Sequence, residues 1–68
     1  MDANRIIDKL GGTNAVAAVC RIQPPSVSGW RKEGIPPARE DFLRLKFPRE
    51  FAELDLEARQ EEDVERAA

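Results

Sequence analysis

The chain has 68 residues, with 11 basic and 13 acidic side chains, one cysteine and no histidine, for a net charge of −2. That length allows one small domain, which buries only about 60% of the surface its unfolded chain exposes, and leaves no room for a cofactor domain. One cysteine without histidine excludes an internal disulfide framework and leaves no four-ligand zinc set. No apolar run approaches the ~20 residues that span a bilayer, so no membrane is expected as a partner. The opening "MDANRIIDKL" alternates charge with isoleucine where a signal peptide would have an apolar core, and the expected location is the cytoplasm.

The net charge conceals two halves of opposite sign. Residues 1–49 hold nine basic side chains against five acidic ones, a balance of +4, whereas residues 50–68 hold two basic against eight acidic, a balance of −6. A mildly basic body with an acidic end is thereby expected to meet a polyanion or an acidic partner through the body alone.

Ala3, Ile6, Ile7 and Leu10 recur at the spacing of one helix face, with Asp2 placed to cap the first turn and Gly11-Gly12 to end the helix in a left-handed conformation. Thr13 or Asn14 is placed to cap a second helix of about two turns, "AVAAVCR", whose alanines allow another helix to approach closely. "RIQ" is a tight turn. Pro24 suits the first position of a third helix, "PPSVSGWRKE", because a missing N–H costs nothing there. Val27 and Trp30 face inward from that helix, and Gly34 stops it.

Ile35-Pro36-Pro37 forces an extended corner, since a residue before proline is pushed out of the helical region. A fourth helix follows from about Pro37, burying Phe42, then Leu45 or Leu43, with Phe47 at its end. Pro48 restarts the chain, and Phe51, Leu54 and Ala58 can dock a fifth helix. No alternating β-branched run appears anywhere in the sequence. The fold class expected is all-α: four or five short helices in residues 1–58, a helix-turn-helix at about residues 13–33, and an acidic flexible tail at residues 59–68. The expected core is Ile6, Val16, Val27, Trp30, Phe42 and Leu45.

Residues from about Gly11 to Arg39 resemble the small helix-turn-helix regulators of the lambda-repressor and Cro class. The residues that carry the resemblance are Ala17 at the small position of the second helix, Ile22 in the turn, Val27 and Trp30 in the third helix, and "GWRKEGIPPAR". In that class the third helix lies in the major groove and its first residues reach base edges. The reading positions here hold Pro24, Pro25, Ser28 and Gly29, so most of the donors and acceptors that discriminate bases are missing. Arg21 is a second departure, because the turn there often carries glycine to accept a positive φ.

A fold kept without its reading chemistry resembles a second group, the small regulators of lytic Xanthomonas phages that bind host RNA polymerase. That resemblance rests on size and on alanine-, arginine- and glutamate-rich composition. It implies a protein acting in the host bacterial cell that inhibits sigma-dependent initiation and promotes antitermination. Its partners would be the large polymerase subunits, with weak or non-specific contact to nucleic acid. The contacts expected on that reading are Asp2, Arg5, Ile6, Arg21, Arg31 and Lys32. The alternative is a Cro-like repressor of operator DNA, which would use Gln23, Ser26, Ser28, Arg31 and Lys32. A monomer is expected ahead of a dimer. Ser26 and Ser28 lack a histidine to activate them, so neither catalytic residues nor cofactors are expected, and the chain is not read as an enzyme.

Overall fold

The computed structural model describes residues 2–67, with side chains described for residues 2–60. Five helices follow one another: α1 (Ala3–Lys9), α2 (Thr13–Cys20), α3 (Pro24–Glu33), α4 (Pro37–Lys46) and α5 (Pro48–Ala67). Among the described residues there is no strand, and the all-α class with a helix-turn-helix at residues 13–33 stands. The acidic stretch expected to be a flexible tail falls, beyond Gln60, outside the described side chains.

The helix ends follow from local chemistry. The Asp2 carboxylate accepts the backbone N–H of Asn4 at 3.1 Å and so satisfies a donor that the first turn leaves open. At the other end of α1, Gly11 sits at φ +111°. Its N–H bonds to the Asp8 carbonyl, and that of Gly12 reaches the Ile7 carbonyl at 2.9 Å, a paired closure that needs a residue able to take positive φ. Neither Thr13 nor Asn14 caps α2. Gly12 occupies the cap without a side-chain bond, because Thr13 is already the first helical residue and its hydroxyl is engaged elsewhere.

The same closure ends α2, with Arg21 where α1 has glycine. Arg21 adopts φ 58°, ψ 44°, and the next N–H, that of Ile22, bonds to the Ala17 carbonyl at 3.0 Å. Gln23 is extended, and Pro24 and Pro25 fill the first turn of α3, where their missing N–H groups have no helical acceptor. Gly34, at φ +101°, closes α3 on the Trp30 carbonyl at 2.7 Å. The Ile35–Pro36 corner and Pro48 then set the starts of α4 and α5.

The core consists of Ile6, Ile7 and Leu10 from α1 and its end, Val16, Ala17 and Cys20 from α2, Val27 from α3, Leu43 from α4, and Phe51 and Leu54 from α5. Val19, Ile22, Trp30, Ile35, Phe42 and Phe47 pack around it, each partly covered. Ala17 is buried on α2, which makes the most extensive helix contact of the fold with α3.

One core assignment is corrected. Leu45 is 83% exposed and Leu43 is fully buried. Phe42-Leu45 and Leu43-Phe47 are both acceptable helical pairs, and the sequence of α4 alone does not choose between them. The second wins because it continues through Phe51 on α5, giving one apolar stripe at four-residue steps across the proline junction. Leu43→Ala is therefore expected to cost about 2–5 kcal/mol and Leu45→Ala less than about 0.5 kcal/mol, as read from the two urea unfolding midpoints.

Candidate nucleic-acid interface

The outward face of α3 is where the helix-turn-helix reading is decided. Pro25, Ser26, Ser28, Lys32 and Glu33 are exposed on it, and Pro24, Pro25, Ser28, Gly29 and Lys32 line a shallow groove along it. Gln23 is exposed just before the helix, and its amide makes no capping bond. A Cβ added at Gly29 would meet nothing within 4 Å, so no packing requirement accounts for that glycine. The groups free to meet a base edge are one amide, two hydroxyls, one ammonium and the Glu33 carboxylate.

Arg31, a candidate for both polymerase and DNA contact, is half-buried and turned back onto α1 and α2. Its Nε donates to Thr13 Oγ1 at 3.0 Å, Nη1 to Asn4 Oδ1 at 2.9 Å and Nη2 to Asp8 Oδ1 at 2.8 Å. One guanidinium thus joins α3 to α2 and to two positions on α1. Only the planar fork of arginine has donors in the directions these three acceptors need. The sequence held no local signal for this, since Arg31 and Asn4 lie 27 residues apart.

The other polymerase candidates separate in the same way. Ile6 is 2% exposed and belongs to the core, which overturns its role as a surface contact. Asp2 caps α1, and Arg5 approaches Glu57 at 3.9 Å. Beside it, Lys9 pairs with Glu53 at 2.9 Å and with Glu57 at 3.5 Å. The hydrogen bond with Glu53 holds Lys9 above the usual lysine range, and the same bond holds Glu53 below the usual carboxylate range. On α4, Arg44 pairs with Asp55 at 3.3 Å and Glu40 at 3.5 Å and covers the Phe51 ring at 4.7 Å.

Of the six other cations among the described residues, Arg49 and Arg59 lie on α5 and four lie on the turn, α3 and α4. Arg21, Lys32, Arg39 and Lys46 are exposed, and none of them has an acidic partner among the described residues. Arg21 is in the turn, Lys32 on α3, and Arg39 and Lys46 on α4, where they share one face with Phe42. Arg21, Arg39 and Lys46 line an open cleft together with Val19, Cys20 and Phe42. Burial pushes the Cys20 thiol up, and the nearby Arg39 partly offsets this. Among the described residues no cluster of three or more histidine, cysteine, aspartate or glutamate side chains could hold a metal ion, and no helix is long and apolar enough to cross a membrane. No family model, curated protein or solved structure matches the chain.

Two substitutions separate structural roles from surface ones. Arg31→Lys, which keeps the charge and removes the fork, is expected to lower the free energy of unfolding by about 1–2 kcal/mol. Arg21→Gly is expected to raise it by about 0.5–1 kcal/mol, because glycine accepts the left-handed turn without a Cβ penalty. Chemical denaturation of both variants beside the parent checks the opposite signs.

Proposed function

We propose that this chain is a helix-turn-helix transcription regulator that sets α3 against duplex DNA and is held there chiefly through backbone phosphates. The observation that carries the reading is the division of charge. Arg5, Lys9, Arg31 and Arg44 are tied to carboxylates of the fold, while Arg21, Lys32 and Arg39 stand unneutralised on the turn, on α3 and at the start of α4. Cationic groups around an exposed helix are the electrostatic footprint of a nucleic-acid binder. The resemblance of residues 11–39 to the Cro class points the same way.

Base reading on this surface is limited to Gln23, Ser26, Ser28, Lys32 and the Glu33 carboxylate, which can accept from cytosine. Glutamine is suited to the paired groups of adenine, lysine to the acceptors of guanine, and the serines to either. Pro24, Pro25 and Gly29 add no donors. Sequence preference is therefore expected to be shallow and binding steeply salt-dependent.

The second reading, regulation by binding the large subunits of host RNA polymerase with inhibition of sigma-dependent initiation, draws its support from that same scarcity of readers. Leu45 and Leu56, both large and exposed, would be apolar anchors for such a protein contact. Of the residues first expected to make it, Arg21 and Lys32 remain exposed and without an acidic partner among the described residues.

The test is fluorescence anisotropy with random and selected duplexes from 50 to 200 mM salt, run beside capture of purified polymerase. About four phosphate contacts predict a loss of roughly 10²-fold in affinity over that range. Absence of duplex binding at 50 mM together with polymerase capture would overturn the DNA reading in favour of the second.

A further inference from the structure

We infer that the cleft between the α2–α3 turn and α4, lined by Arg21, Arg39 and Lys46, is a seat for a phosphate group. This deepens the proposed function, since it assigns the site to a backbone phosphate of bound DNA. The cleft encloses about 400 Å³, room for a phosphodiester with part of its sugar, and three of its six lining residues are cationic. No carboxylate lines it. Arg39 and Lys46 are seven residues apart on α4 and so project from the same face, with Phe42 between them; the Lys46 ammonium lies 5.8 Å from the Phe42 ring. Glu40, adjacent to Arg39 in sequence, pairs with Arg44 at 3.5 Å, and Asp41, two positions from Arg39, falls about 200° round the helix.

Arg21 supplies an independent observation. It is the one non-glycine among the described residues with a positive φ, and the turn it occupies would be less strained with glycine. A charged side chain held at such a position is placed by the turn itself, and strain of this kind gathers where a ligand is bound. Like charges crowded into one cleft repel one another, and an anion bound among them removes that repulsion. Phosphate chemistry suits the set: Arg21 and Arg39 each present planar pairs of N–H donors, and Lys46 adds a point charge.

The experiment measures duplex affinity against salt for the parent, for Arg39→Gln combined with Lys46→Gln, and for Arg59→Gln as an exposed cation outside the cleft. A separate NMR titration of the parent uses sodium pyrophosphate as the probe. Loss of the one phosphate contact made in the cleft is expected to reduce the log–log salt slope by about 0.9, equally for random and selected duplexes, with Arg59→Gln unchanged. Duplex binding with an unaltered slope in the double variant overturns the cleft and leaves the regulator reading intact. If the parent binds no duplex while pyrophosphate shifts the amides of residues 20, 21, 39 and 46, the phosphate seat stands with a free anion as its source, and the DNA reading falls. Silence in both titrations overturns both.

Discussion

The guanidinium of Arg31 joins three helices whose apolar faces are too small to fix one another. α1 and α2 have only seven and eight residues, lengths at which helices are unstable in isolation. Their order relative to α3 therefore depends on tertiary contacts. The core residues attract without direction. The three hydrogen bonds of Arg31 add direction, since each acceptor sits at a defined angle around the planar fork. Asn4, Asp8 and Thr13 hold α1 and the start of α2 against the C-terminal half of α3, while Ala17 and Val27 set the depth of contact further along. Because Arg31 is tied to α1 and α2, the exposed surface of α3 is left to Pro25, Ser26, Ser28, Lys32 and Glu33.

Carboxylates on α5 complete the frame and also shape the charge of the surface. Glu53 and Glu57 meet Lys9 and Arg5 on α1, and Asp55 meets Arg44 on α4. Exposed pairs of this kind add little stability individually. Their larger effect is on the field: part of the acidic half of the sequence neutralises the cations of α1 and of one side of α4. The charge asymmetry along the chain becomes, after folding, an asymmetry between surfaces. Acidic side chains near one end are part of the packing as far as they are described.

The residues that punctuate the chain made the fold legible. Asp2, Gly11, Pro24, Gly34, Pro37 and Pro48 each act through a local backbone rule, and the helix boundaries follow them closely. The phase of α4 was not legible, because "FLRLKF" offers two apolar stripes and only the continuation into Phe51 selects one. The role of Arg31 was out of reach for a different reason. Its partners on α1 are distant in sequence, and a basic residue in the last turn of a helix has a sufficient local explanation in the helix dipole. Ile6, expected both in the core and as a surface contact, lies on the apolar face of α1 with Ile7 and Leu10, and only the core role survives folding. In the candidate site, the weakness of the reading residues was visible from proline and glycine alone; the grouping of Arg21, Arg39 and Lys46 required the turn and α4 to be folded together.

Pro25 and Gly29 have different consequences for a surface that touches DNA. Neither recognises a base by hydrogen bonds, yet neither projects far from the helix, so the backbone of α3 can approach a neighbouring surface more closely than a helix lined with glutamine or arginine. With Gly29 in open space, a larger residue could be accommodated and would favour the helix by up to about 1 kcal/mol. Close approach brings the exposed cations nearer to phosphates, where water is displaced and charge interactions strengthen. A shallow reading face and a strong phosphate grip are therefore compatible consequences of one sequence. Arg21 links them physically, because the left-handed residue that turns the chain from α2 into α3 also carries a cation to the edge of the cleft.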